Sequence, residues 1–180
     1  MSEARTAVVL CEDLQARVVL YRLLKNRWGK RFPRVRVLPL PAGVGCGSQY
    51  VREKYAYEVQ AQRTSTVNQV LVVHIDGDNV GLAARNRDFA RELSQAGATA
   101  RGPAEAIAHV VPCWETETWI LHAKGETVNE TEAAPQKFRG REAAAAEPLI
   151  DLLVALVQGT DTAPDHLPSL GAVVPELRRL

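Results

Sequence analysis

Residues 70–78 read VLVVHIDGD, an aliphatic run that ends in two aspartates separated by one glycine. Such a run is typical of a parallel strand that is buried on both faces. Gly77 allows the backbone to turn directly after the strand. Because residues two apart on a strand face the same way, Asp76 and Asp78 are expected to aim at one point. Asp-Gly-Asp-Asn is also favourable turn chemistry, so a simple β-turn is the alternative.

Strand and helix patterns alternate along the rest of the chain. Strands are predicted over residues 6–11, 35–40, 67–75 and 106–111, and helices over 14–28, 49–62, 82–96 and 115–123. This alternation predicts an α/β fold with a mainly parallel, Rossmann-like sheet of about four strands, flanked by helices. Asp13 and Ser48 are the expected N-caps of the first two helices.

The composition changes after residue 123. Residues 124–147 are polar and poor in aliphatic side chains, which predicts a mobile loop or lid. Residues 148–180 predict a C-terminal helical extension that packs on the domain formed by residues 1–123.

Charge and length exclude little. The 180 residues suit one domain, and 22 Lys and Arg against 21 Asp and Glu give no overall argument for nucleic-acid binding. The cations cluster between Arg22 and Arg36, where a solvated helix face and a phosphate-contacting surface are both open readings. No apolar run approaches the ~20 residues that span a membrane, and the N-terminus leaves no room for a signal peptide. A cytoplasmic protein is expected.

Acidic residues follow three of the predicted strands. Glu12 follows the first strand, Asp76 and Asp78 the third, and Glu117 the fourth. If the first and third strands are parallel neighbours, Glu12, Asp76 and Asp78 meet at the edge where ligands bind in open parallel sheets. Such a cluster would hold a hard cation, with Glu117 as a further ligand. Helix-capping acids are the alternative for Glu12 and Glu117.

A glycine-rich stretch, GVGCGS, occupies residues 43–48 between a strand and a helix. Backbone N–H groups at a helix N-terminus bind phosphate, so Gly45, Gly47 and Ser48 are candidate phosphate-binding residues. The stretch lacks the Gly-Lys-Ser/Thr of a Walker A motif, and a flexible connection is the alternative.

The order of these motifs resembles the Toprim (topoisomerase–primase) domain, which also occurs in overcoming-lysogenisation-defect nucleases. The resemblance covers roughly residues 6–123, with Glu12 at the signature glutamate and Asp76 and Asp78 at the Asp-x-Asp. Residues 117–121, ETWIL, look like the Glu-x-Trp-Leu-Leu stretch of small stand-alone Toprim-like proteins, many of which are encoded beside ATPases in bacterial defence loci.

The resemblance implies Mg²⁺-dependent (or Mn²⁺-dependent) cleavage or joining of phosphodiester bonds in DNA or RNA. Glu12 would act as general acid/base or metal ligand, and Asp76 and Asp78 would hold the metal. Lys124 and Lys137 are the candidate catalytic cations. An antiviral role beside an ATPase partner follows from the same resemblance, and homo-oligomers stay open.

Two other functions stay open. A non-catalytic Toprim-fold subunit could regulate an ATPase partner. Residues 75–79, IDGDN, also resemble the Asp-Gly-x-Asn of PIN-like ribonucleases of the NYN group, although in that family the motif usually follows the first strand.

Overall fold

The computed structural model describes residues 5–40 and 47–180, and its centre is a four-stranded parallel sheet. The strands are β1 (Thr6–Leu10), β2 (Arg34–Val37), β3 (Gln69–His74) and β4 (Ile107–Val110). Their order in the sheet is β2-β1-β3-β4, and every neighbouring pair is parallel. The predicted α/β class with a Rossmann-like parallel sheet is therefore confirmed.

Helices cover both faces of this sheet. They are α1 (Leu14–Arg22), α2 (Gly47–Thr64), α3 (Gly81–Gln95), α4 (Thr116–Ala123), α5 (Glu142–Gln158) and α6 (Pro168–Leu177). Among the helices that the structure describes, none is both long enough and apolar enough to cross a bilayer.

Alternation along the strands divides the apolar side chains between two cores. In β1, Ala7 and Val9 pack with α1, α4, α5 and α6 on one face, and Val8 and Leu10 pack with α2 and α3 on the other. All four of these side chains are at most 3% exposed. Burial on both faces explains the aliphatic runs of β1 and β3, whereas β2, at the edge of the sheet, alternates arginine and valine.

The first helix differs from the predicted single helix over residues 14–28. The α-helical part ends at Arg22, and Leu23–Arg27 continue as one π-helical turn. Asp13 caps α1 as predicted, because its Oδ1 accepts the Ala16 N–H at 2.8 Å. Gly29 follows directly, and a Cβ there would lie 2.4 Å from the Lys25 carbonyl oxygen, so the chain can leave the helix here only with glycine.

The second helix begins earlier than predicted. It starts at Gly47, so Ser48 lies inside the first turn and is not the N-cap that the sequence suggested. The apolar face is as expected, with Val51, Tyr55 and Val59 buried at helical spacing.

The C-terminal extension also begins earlier than its predicted start at Pro148. Helix α5 starts at Glu142 and carries Pro148 in its interior. Proline lacks the N–H that would bond the Ala144 carbonyl, but Ala143–Ala146 have the highest helix propensity of any residue and carry the helix across this gap. The predicted loop therefore ends at Arg141.

Two cations of the basic stretch hold α5 in place. Arg22 pairs with Glu147, and Arg27 Nη2 lies 2.7 Å from Asp151 Oδ1. The leucines of α5 and α6 then join the core formed by α1 and α4. This part of the basic stretch serves packing between helices.

Candidate active site

Glu12 and Asp76 lie side by side at the carboxyl edge of the sheet. Strands β1 and β3 are hydrogen-bonded neighbours, with Leu10 opposite Val73 in register. Each acid follows the end of its strand by two residues, so this register brings both to the same point. The adjacency of strands on which the predicted site depended is thus present.

Three carboxylates form what we call the acidic cluster: Glu12, Asp13 and Asp76. Each offers one oxygen, and these oxygens lie within 4.8 Å of one another. Asp13 was predicted only as a helix cap. It does cap α1, but it also belongs to the acidic cluster. The only feature of the sequence that could have indicated this is its position next to Glu12.

Two buried oxygens of the acidic cluster have no hydrogen-bond partner within the described residues: Glu12 Oε2 and Asp76 Oδ1. Asp76 is only 7% exposed. Burial raises the pKa of the Asp76 carboxyl well above its usual range, and the nearby Glu12 and Asp13 carboxylates raise it further. Burial likewise raises the pKa of Glu12, against the effect of its hydrogen bonds with Asp76. Unpartnered buried carboxylate oxygens are costly unless a cation or a proton joins them.

His74 does not supply that positive charge. Its Nε2 lies 3.6 Å from Asp76 Oδ1 but 2.7 Å from Thr116 Oγ1, which is its hydrogen-bond partner. Burial lowers the pKa of His74 to about 4, so the ring is neutral near pH 7. His74 is thus a buried, neutral histidine whose Nδ1 has no hydrogen-bond partner in the described residues.

Asp78 is not one of the three carboxylates of the acidic cluster, although its charge contributes to raising the pKa of Glu12. Its side chain is 65% exposed, and its Oδ2 accepts a 2.6 Å hydrogen bond from Arg85 Nη2. The expectation that Asp76 and Asp78 face one way assumed a continuing strand. Instead β3 ends at His74, and Asp78 and Asn79 adopt left-handed backbone angles with φ of 46° and 66°.

Arg85, which was not among the predicted site residues, fixes the turn that carries Asp76. It is 8% exposed, and its Nε donates to the Asp76 carbonyl oxygen at 2.9 Å. One guanidinium thus holds the backbone of Asp76 and the side chain of Asp78. No motif marked Arg85, since it lies within the helical pattern of α3.

Glu117 is buried near the acidic cluster but is not one of its three members. Its Oε1 lies 3.3 Å from Lys137 Nζ, while its Oε2 has no hydrogen-bond partner in the described part of the chain. Its charge contributes to raising the pKa of Asp76. Lys137 also pairs with Glu115, whereas Lys124 lies 5.0 Å from the centre of the Phe138 ring. Of the two predicted catalytic lysines, only Lys137 contacts an acid of this region.

The candidate phosphate loop is only partly visible. Gly45 lies outside the described residues, and Gly47 and Ser48 form the first turn of α2. A Cβ on Gly47 would lie 2.9 Å from the Glu12 Cβ and 3.0 Å from its carbonyl oxygen. Glycine at 47 therefore lets the N-terminus of α2 approach Glu12 closely.

The segment over residues 124–141 has several contacts with the domain. Glu130 Oε2 accepts the Ser169 N–H at 3.1 Å, Glu115 Oε1 accepts the Ala134 N–H at 2.9 Å, and Phe138 is buried. These contacts place Lys137 beside Glu117. Its mobility as a lid stays a prediction.

The donor set determines what this edge can do. Carboxylate oxygens alone suit a hard divalent cation such as Mg²⁺ or Mn²⁺, and the unpartnered oxygens of Glu12 and Asp76 fit that group.

No protein-family model, curated protein or solved structure matches this chain.

Proposed function

We propose that this chain is a Mg²⁺-dependent nuclease that hydrolyses phosphodiester bonds in nucleic acid. The observation that carries the proposal is the pair of unpartnered buried oxygens on Glu12 and Asp76, which adjacent parallel strands bring together. The motif order that resembles the Toprim domain supports the same reaction class. The departure is Asp78, whose contact with Arg85 removes it from the expected ligand set.

Glu12, Asp13 and Asp76 would hold the cation, which Mn²⁺ can replace. The ion supplies polarisation of a phosphoryl oxygen and a lower pKa for its bound water. The other positive groups of the described site are engaged elsewhere or neutral: Arg85 pairs with Asp78 and bonds the Asp76 backbone, Lys137 pairs with two acids, and His74 is neutral near pH 7.

Residues of the protein control the protonation and the position of the acids at this edge of the sheet. Burial raises the pKa of Glu12 in the cation-free protein. Glu12 therefore either releases its proton to hold the cation or, where Asp13 and Asp76 hold the cation without it, keeps the proton and serves as general acid/base. Arg85 holds Asp76 in place through its carbonyl oxygen, and Gly47 leaves room for the α2 N-terminus against Glu12. These features position the acids before any substrate arrives.

Cleavage assays test the proposal directly. The full chain is incubated with supercoiled plasmid, single-stranded DNA and RNA, with Mg²⁺, with Mn²⁺ or with chelator. We expect cleavage with either ion, none with chelator, and a loss of at least about a hundredfold in Asp76→Asn and Glu12→Gln. Asp151→Asn is the matched control, since it removes an exposed carboxylate on α5.

The outcomes separate the candidate functions. Cleavage by both variants at the wild-type rate would exclude this active site. Mn²⁺ binding without turnover on any substrate would instead favour the non-catalytic subunit.

A further inference from the structure

A cavity of about 240 Å³ opens beside the acidic cluster and shares Asp13, Glu117 and Lys137 with the site described above. Its wall includes Asp13, which also belongs to the cluster, so a group bound in the cavity would adjoin the cation. The other lining residues include Leu14, Gln15, Glu117, Lys137 and Arg139. Sites for drug-sized ligands span about 300–1,000 Å³, so this cavity suits a single small unit.

Gln15 lines the cavity and carries a buried hydrogen-bond acceptor that has no partner in the described residues. It is only 5% exposed, and its Nε2 donates to the Glu142 carbonyl oxygen at 3.3 Å. A carbonyl partner requires the amide nitrogen, which fixes the opposite end of the side chain as oxygen. That Oε1 is buried without a hydrogen-bond partner in the described residues. A second unpartnered acceptor, Glu117 Oε2, belongs to the same lining.

The rest of the lining consists of two cations, Lys137 and Arg139, two apolar side chains, Leu14 and Phe138, and a third carboxylate, Glu142. Arg139 is exposed and makes no ion pair with any described residue, and Lys137 is held in place by Glu115 and Glu117. Leu14 is 47% exposed, which is unusual for a leucine at the start of a packed helix. A matching ligand has N–H or O–H donors and a flat apolar face, and any negative charge that it carries must lie at Arg139, away from the carboxylates of Asp13, Glu117 and Glu142.

We propose, on the basis of the nuclease function proposed above, that this cavity binds the nucleotide that adjoins the scissile phosphate. Gln15 Oε1 accepts a hydrogen bond from a base amino group or a sugar hydroxyl, Arg139 contacts the phosphate of that nucleotide, and Leu14 packs against its base or sugar. A base can enter a cavity of this size only when it is unpaired, so the preferred substrate is single-stranded or an unpaired strand end.

Titration with 5′-mononucleotides, monitored by calorimetry on the full chain, tests the assignment. We expect saturable binding of AMP, CMP, GMP or UMP, and an affinity lower by about five- to tenfold in Gln15→Leu and in Arg139→Ala. Arg141→Ala is the matched control, because Arg141 is exposed in the same segment and does not line the cavity. Arg139 is exposed as well, so that variant folds even if Gln15→Leu does not.

Two further measurements decide the assignment: the affinity for inorganic phosphate compared with that for the mononucleotides, and the KM of nucleic-acid cleavage by wild type compared with that of the variants. If phosphate binds as tightly as the mononucleotides, or if both variants retain wild-type affinity, the nucleotide assignment is overturned. Cleavage by wild type with unchanged KM in both variants overturns it too. Mononucleotide binding that both variants weaken supports the cavity even when no substrate is cleaved, a result that would refute only the nuclease function.

Discussion

Asp76 is the residue at which stability and the proposed function conflict. It is 7% exposed, and its Oδ1 lacks a hydrogen-bond partner in the described part of the chain. Its pKa is raised because ionisation there is unfavourable, chiefly through burial and then through Glu12. Retaining such a group reduces stability, which is expected where a carboxylate awaits a cation.

Asp76→Asn therefore should stabilise the cation-free protein while abolishing cation binding. The change keeps the size of the side chain and removes its charge, so we expect a gain on the order of 1 kcal/mol at pH 7. Urea unfolding in chelator measures the stability, and Mn²⁺ calorimetry measures the binding. A variant that is markedly less stable would show that Asp76 is a structural residue.

Asp78→Asn should have a much smaller effect on cation binding than Asp76→Asn. The Asp78 carboxylate is largely exposed and paired with Arg85, so it contributes at most a modest charge to the site. We expect Mn²⁺ affinity within about threefold of wild type and stability within about 1 kcal/mol. Equal losses in the two variants would restore Asp78 as a ligand.

Gly77→Ala should destabilise the turn that carries Asp76. A Cβ there would lie 2.2 Å from the Cys113 carbonyl oxygen and 2.3 Å from that of Pro112, and backbone atoms cannot yield cheaply. We expect a loss of about 1–3 kcal/mol in urea unfolding, with weaker cation binding. Gly102→Ala is the control, because its Cβ would meet only Glu105 atoms at 3.6 Å or more; an equal loss there would remove the steric explanation.

At the scale of helices, α6 contains a glycine whose replacement should stabilise the protein. A Cβ on Gly171 would meet only the Ala163 Cβ at 3.6 Å, an ordinary contact. Gly171→Ala is therefore expected to gain about 0.5–1 kcal/mol by helix propensity. Gly159→Ala should have the opposite sign, since Gly159 caps α5 with φ of 75°. Thermal unfolding measures the change in stability of each variant relative to wild type. Changes of the same sign in the two variants would contradict this explanation.

Helices and strands could be predicted where one periodic pattern dominated. The continuous aliphatic run of β3 and the apolar spacing of α2 identified both elements. The start of α5 could not be placed, because Pro148 looked like a boundary while the preceding alanines carried the helix through it. The turn at Asp78 is the β-turn that Asp-Gly-Asp-Asn offered as the alternative, since the Val80 N–H donates to the Gly77 carbonyl oxygen at 2.8 Å. The close approach of Gly77 to the loop after β4 depends on tertiary packing, which no local pattern encodes.

At the scale of the whole molecule, the order of the strands in the sheet could not be predicted from the sequence. Acids after β1 and β3 form one site only if these strands are neighbours, and that depends on how the crossovers pack. The prediction was therefore conditional on strand order and named Glu12, Asp76 and Asp78, of which the first two lie in the acidic cluster. It missed Asp13 as a cluster member and Arg85 as support, because each fits an ordinary helical role.

The acidic cluster also links the stability of the whole fold to pH and to cations. Glu12 and Asp76 have raised pKa values in the folded protein, so the folded state binds more protons than the unfolded state above pH 4 or so. Their contribution to stability is present below the unfolded pKa values and is lost as pH rises through the folded ones. Burial lowers the pKa of His74 to about 4 and that of His109 to about 3. These two histidines therefore make the stability of the fold increase as pH rises to about 6.5, the pKa of an unfolded histidine.

The double variant Glu12→Gln/Asp76→Asn separates these contributions. In chelator, the stability of wild type relative to the double variant should fall as pH rises from about 4 to 8, because only wild type has the two carboxyl groups with raised pKa values. The histidines are present in both proteins, so their contribution cancels in this comparison. Mg²⁺ at a hundred times its dissociation constant should then stabilise wild type by about 2.7 kcal/mol at pH 7.5 and leave the double variant unchanged. Chemical unfolding across this pH range measures both effects. Equal stabilisation of the two proteins by Mg²⁺ would place the cation elsewhere, because only wild type keeps the carboxylates that the folded sheet brings together.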